Sequence, residues 1–227
     1  MTLIKEMVDF PSAEDKVPGY LVQPDQGGPY PGLVLIQEWW GLVPHIKDVA
    51  ERFAAQGFIA LAPDLYHGRT AAEPDEARKL AMELDRQHAV LEIEAAIHYL
   101  QGLAQVQPKR LGVVGWCMGG SLAIATAGYS VDVGATVAFY GMPRELNVIQ
   151  GATAPLLGLY AEHDHGISLE AVEALDRALD ETGVVHEIHI YSGANHAFFN
   201  DTRPQIYDPQ AAADAWQRTL DWFRTHL

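Results

Sequence analysis

Six short strand-like runs, most of them largely apolar and spaced along the chain with helix-patterned segments between most of them, constrain this protein's fold more than any other feature of its sequence. The most regular is Gly32-Leu33-Val34-Leu35-Ile36, which has no polar residue to face solvent. A strand of that kind is buried on both faces, as in parallel sheets covered by helices. Phe58–Ala62, Arg110–Gly115, Val133–Tyr140, Pro155–Tyr160 and Val184–Tyr191 read as further strands. Helices are expected at His45–Gln56, Pro74–Glu83, His88–Leu103, Ser121–Ala127, Leu169–Thr182 and Pro209–His226, where apolar residues recur at helical spacing or caps are in place. Near the start, Ile4–Phe10 and Tyr20–Gln23 predict an antiparallel hairpin at a sheet edge. This alternation implies an α/β protein, a mainly parallel central sheet with helices on both faces. In such sheets, sites form where strands end at their carboxyl edge.

The 227 residues, 48% of them hydrophobic, suit one globular unit, residues 1–227. The formal charge is −15, from 30 acidic and 15 basic side chains. Such a surface repels nucleic acid and anionic membranes. No apolar run approaches the length of a membrane span, and the first residues lack a signal-peptide core, so a cytoplasmic monomer is expected. One cysteine excludes an internal disulfide.

That cysteine lies in Gly115-Trp116-Cys117-Met118-Gly119, between a predicted strand and a predicted helix. A sharp strand–turn–helix lifts its central side chain out of the sheet, and its flanking positions must approach neighbouring backbone closely, which suits glycine. Cys117 is therefore the candidate nucleophile. The Met118 amide, early in the following helix, is a candidate oxyanion donor. A thiol needs a base. Among ten histidines, His196 follows the last predicted strand at the carboxyl edge. His45, His88, His98 and His226 fall in helices as solvated or partly packed residues, and His186 and His189 lie within a strand. Asp164 follows the strand that ends at Tyr160 and is the candidate orienter, ahead of Glu162 and Asp201. The chain order nucleophile, acid, base is that of the α/β-hydrolases. Glu38 and the Trp39 amide close the run from Gly32, where this fold supplies its second oxyanion donor. His163-Asp164-His165 lacks a third ligand at metal-site spacing, so neither metal nor other cofactor is expected.

With these motifs in hand, the chain resembles the dienelactone hydrolases, or carboxymethylenebutenolidases. The matching pieces are Gln37-Glu38-Trp39-Trp40-Gly41, Ala62-Pro63-Asp64-Leu65-Tyr66-His67-Gly68-Arg69, Gly115–Gly120, Ala161-Glu162-His163-Asp164 and His196-Ala197-Phe198. The resemblance implies an α/β-hydrolase fold and a Cys117–His196–Asp164 triad that opens lactones or esters through an acyl-thioester. Glu38 would take the thiol proton, with the Trp39 and Met118 amides as the oxyanion hole. It also suggests Trp40, Tyr66, Arg69, Phe198 and Asn200 as substrate contacts. The best-known members carry an arginine shortly after the catalytic histidine, which grips a substrate carboxylate. Here Asn200 stands in that place, the nearest basic residue is Arg203, and Arg69 and Arg86 lie on a stretch that can overhang the site. The alternatives are a relaxed-specificity hydrolase of activated aryl esters or neutral phosphotriesters, a binding protein on the same fold, and a redox sensor.

Overall fold

The computed structural model describes residues 2–13 and 15–227. They build one eight-stranded sheet in the order β1-β2-β4-β3-β5-β6-β7-β8. The strands are β1 (Leu3–Pro11), β2 (Lys16–Pro24), β3 (Gly32–Ile36), β4 (Ile59–Pro63), β5 (Leu111–Trp116), β6 (Val133–Phe139), β7 (Leu156–His163) and β8 (His186–Asn195). β1 and β2 form the expected antiparallel edge hairpin, and β2 also runs antiparallel to β4. Every pairing from β4 through β3 to β8 is parallel.

The apolar runs become central strands because both faces of the sheet are covered. β3, β4, β5 and β6 are buried at every residue. Alternate residues of a strand face opposite sides, and the core divides accordingly. Leu33 and Leu35 join one cluster under α1 (Pro44–Ala55) and α6 (Pro209–His226), with Phe53, Phe58 and Phe223 in edge-to-face contact. Val34 and Ile36 join the other, under α3 (Arg86–Gly102) and α4 (Met118–Tyr129). Each fully buried aliphatic or aromatic side chain in these layers contributes roughly 1.5–3 kcal/mol.

The element bounds differ from expectation where caps and tertiary pairing decide them. α3 starts two residues early, because Asp85 accepts from the amides of Gln87 and His88 at 2.9 and 3.2 Å. β2 is nine residues long rather than four, since β1 and β4 hold it from both sides. β7 continues to His163, and β8 begins at His186 and continues to Asn195, so Asp164 and His196 each follow a strand directly. A 3-10 turn at Leu146–Gly151 has no apolar period that would have announced it. α2 (Pro74–Glu83) and α5 (Leu169–Thr182) have the expected bounds. The latter is capped by Ser168 and ends on Gly183 in the left-handed region. Among the described residues no helix is long and apolar enough to cross a membrane.

Candidate active site

The carboxyl edge of the parallel strands gathers the residues singled out by sequence. Cys117 directly follows β5 with φ 55° and ψ −116°, outside the regions an L-residue normally occupies. Two neighbours impose this. The Cys117 amide donates to the Phe139 carbonyl at 3.0 Å, and α4 starts at the next residue. The flanking glycines permit it: a Cβ on Gly115 would lie 2.1 Å from the Gly119 carbonyl oxygen, and one on Gly119 would lie 2.3 Å from that of Ile36. The close approach expected of both positions is thus met by backbone, which cannot swing away. It also explains why α4 begins at Met118 rather than Ser121. Its first turn is built from Gly119 and Gly120, wedged against β3 and β6.

Tyr140 and Ala197 share the strained backbone, with φ of 36° and 64°. Three non-glycine residues with positive φ at one sheet edge mark a site whose geometry is held by its surroundings at a cost of about 1–3 kcal/mol each.

His196 Nδ1 lies 2.6 Å from Asp164 Oδ2. The other carboxylate oxygen of Asp164 accepts from the amides of Gly166 and Ile167 at 2.8 and 3.0 Å. Burial would raise the Asp164 carboxyl, but these bonds, led by that from His196, hold it below the ordinary carboxylate value. Burial would likewise lower the His196 imidazole, yet hydrogen bonds to Asp164 and Cys117 outweigh it and raise it to about 10. The two rival carboxylates are committed elsewhere. Glu162 accepts from Ser192 Oγ and the Gly193 amide, each at 2.7 Å. Asp201 pairs with Arg52 and His45.

Glu38 is 2% exposed. One oxygen accepts from Asn200 Nδ2 at 2.8 Å, the other from the Tyr140 hydroxyl at 3.4 Å. Burial, then the nearby Glu38 and Cys117 charges, push the Tyr140 phenol well above its ordinary value, so it remains a donor. Its ring lies 5.0 Å from the His196 ring. Tyr140 is a site residue the sequence reading passed over, although it follows β6 at the same edge that identified the others. The Trp39 amide has no acceptor among the described residues, and Met118 is the first residue of α4, where amides lack intrahelical partners.

Most of the expected substrate contacts are buried or engaged with other groups of the protein. Phe198 is fully buried among Phe139, Tyr140 and Tyr191. Asn200, 2% exposed, uses its amide on Glu38. Tyr66 is buried, its hydroxyl donating to Met118 Sδ at 3.4 Å. Arg69 is exposed and pairs with Glu83. Trp40 is half-buried under the Arg203 guanidinium, 5.3 Å from its ring. His45, read as solvated or partly packed, is 4% exposed, and burial lowers its pKa. Its position at the start of α1 turns it inward toward Asp201 and Phe199. Among the described residues no cluster of three or more His, Cys, Asp or Glu side chains is placed to hold a metal ion.

Comparison with known proteins bears on this arrangement. The family model for the dienelactone hydrolase family matches residues 17–227. The chain is 36% identical to protein usf of Aquifex pyrophilus, over 98% of this chain and 99% of that one. It is 33% identical to an Aquifex aeolicus protein assigned as a carboxymethylenebutenolidase, over 98% and 99%. A crystal structure from Klebsiella pneumoniae, assigned as a dienelactone hydrolase, has a TM-score of 0.91 at 28% identity and covers 99% of each chain. The shared architecture is the α/β-hydrolase fold.

Proposed function

We propose a mechanism for a chain that belongs to the dienelactone hydrolase family and is accordingly an ester or lactone hydrolase: acyl transfer from the substrate to Cys117, then to water. His196, with Nδ1 directed to Asp164, leaves Nε2 to hold the Cys117 proton, and its raised pKa favours that imidazolium. The thiolate attacks the carbonyl carbon, and the charge that develops on oxygen falls to the Trp39 and Met118 amides. Collapse breaks the C–O bond. The departing oxygen takes the proton from His196, leaving an acyl-thioester on Cys117. Water, deprotonated by the same imidazole, then attacks the thioester and releases a carboxylic acid and the free thiol. Glu38, held by Asn200 and Tyr140, is the candidate second acceptor for the thiol proton when substrate arrives.

The observation that carries this reading is the 2.6 Å contact between His196 and Asp164 beside a cysteine on a strained turn. A binding protein on this fold would have no use for an imidazole so aligned. A redox role would call for a resolving thiol, and the chain has a single cysteine.

The test is hydrolysis of 4-nitrophenyl acetate, an enol-lactone and a neutral aryl phosphotriester by the wild type and by Cys117→Ala and His196→Ala. Intact-mass spectra taken during turnover complete it. Expected are a transient acetyl adduct on the wild type and turnover lost in both variants with the fold retained. Full esterase activity in Cys117→Ala would rule the mechanism out. Comparable rates on the phosphotriester would establish the relaxed-specificity alternative, since it uses the same nucleophile.

A further inference from the structure

A cavity of about 690 Å³ opens between α3, α4 and the stretch after β6. Ser121, one turn of α4 beyond Cys117, lines it together with Leu122, Val90 and Val148. Its wall is therefore apolar for most of its length. Two guanidiniums, Arg86 and Arg144, line it as well. In a chain with twice as many acidic as basic side chains, neither arginine has a carboxylate within ion-pair distance among the described residues; Arg110, Arg203 and Arg224 share this, while Arg52, Arg69, Arg78, Arg177 and Arg218 are paired. Glu145, the carboxylate in the lining, accepts from Asn147 Nδ2 at 3.3 Å instead.

Arg86 is anchored. Its Nη1 donates to Ser121 Oγ at 3.1 Å, on the first turn of the helix that carries the nucleophile at its start. Its Nε is buried without a partner. Burial and then the like charge of Arg144 lower the Arg86 pKa, and the charges of Tyr66 and Cys117 also act on it. The two arginines line the same cavity, where their like charges act on each other. A single anion between the two guanidiniums would accept from both and give each the charged partner it lacks.

We propose that Arg86 and Arg144 form a carboxylate-recognition subsite for the acyl portion of the substrate. The proposal rests on the acyl-transfer reading above. It moves anion recognition from the loop after His196, where Asn200 is committed to Glu38, to the opposite wall formed by α3 and the stretch after β6. Four residues of helix separate Cys117 from Ser121, a rise of about 6 Å. A diacid monoester of adipate length, with four methylenes between its two carbonyl carbons, spans a distance of that order. The apolar wall beyond takes hydrocarbon attached to that chain. The substrate class is a carboxylate-bearing ester or lactone larger and more apolar than a compact dienelactone.

The experiment compares 4-nitrophenyl hydrogen adipate with 4-nitrophenyl methyl adipate on the wild type, Arg86→Gln and Arg144→Gln. The wild type is expected to favour the anionic ester in kcat/KM despite its own negative charge. Each variant should lose about tenfold or more on the anionic ester, mainly through KM, so that the anionic-to-neutral ratio falls toward one. An unchanged ratio in the variants, or a wild-type preference for the neutral ester, overturns the subsite. Arg144 is exposed, so Arg144→Gln decides the matter should Arg86→Gln fail to fold. A second arm measures binding of monomethyl adipate to the Cys117→Ala protein by calorimetry, with and without Arg144→Gln. Binding that weakens with the second substitution supports the subsite; no binding, or binding indifferent to it, overturns it. The two readings fail separately. Turnover that persists without Cys117 removes the acyl-transfer mechanism, whereas Cys117-dependent turnover with an unaltered ratio removes only the subsite.

Discussion

Asp164→Asn tests how much of the site rests on one oxygen. In the wild type, Asp164 accepts three hydrogen bonds: 2.6 Å from His196 Nδ1, 2.8 Å from the Gly166 amide and 3.0 Å from the Ile167 amide. The asparagine oxygen can keep the two backbone donors, which fix the side chain's orientation. The NH₂ group must then face His196 Nδ1 and meet a donor with a donor. Relief requires the other tautomer, with the proton on Nε2, and that form cannot accept a proton from Cys117. Losing a charge-assisted bond accounts for about 1.5–3 kcal/mol. Holding the ring in the wrong tautomer adds to this, for a combined fall in kcat of roughly 10³–10⁴-fold, or about 4–5.5 kcal/mol in barrier. The assay is single-turnover acylation by 4-nitrophenyl acetate from pH 5 to 9, with circular dichroism to show that the fold is intact. A folded variant within tenfold of the wild type would refute the reasoning, because His196 would then be oriented by something other than Asp164.

The same pair predicts a pH-dependent stability. His196 is raised to about 10 from 6.5, so its share is fully present below about pH 6.5 and lost as pH rises toward 10. Asp164 is lowered, so its share is present above its unfolded value near 4 and lost as pH falls further. Urea midpoints of wild type and His196→Gln should therefore differ most between about pH 4 and 6.5 and converge toward pH 10; a gap independent of pH would contradict this. Gly119→Ala places a methyl 2.3 Å from the Ile36 carbonyl oxygen and 2.5 Å from that of Gln37, and should destabilise by about 3 kcal/mol or more, or prevent folding. A urea titration that matches the wild type would show that β3 yields to it. Phe198→Ala removes a fully buried ring 4.9 Å from Tyr191 and 5.4 Å from Tyr140. It should cost about 3–5 kcal/mol in denaturant unfolding, and a loss under 1 kcal/mol would mean the ring is not part of the core.

Much of this protein is written in local pattern. Leu33–Ile36 is apolar without interruption and Val133–Phe139 is broken only by Thr136, a pattern that suits strands buried on both faces and so points to a parallel sheet with helices on each side. The glycines around Cys117 announce a turn where a Cβ would strike backbone. Chain order then picks out Asp164 and His196, because residues that follow parallel strands emerge at one edge. What sequence could not give is which groups meet across that edge. Asn200 and Glu38 are 162 positions apart, and Arg86 and Ser121 are 35 apart. Nothing local distinguishes Asn200, turned inward as a donor to a buried carboxylate, from a residue turned toward substrate. Nor does any pattern reveal that Arg86 lacks a carboxylate partner while Arg69 has one, since pairing depends on which surfaces packing brings opposite each other. Local sequence sets backbone conformation and burial through sterics and hydrophobicity. The partners of each polar side chain follow from the placement of distant strands and helices, and that is a property of the assembled fold alone.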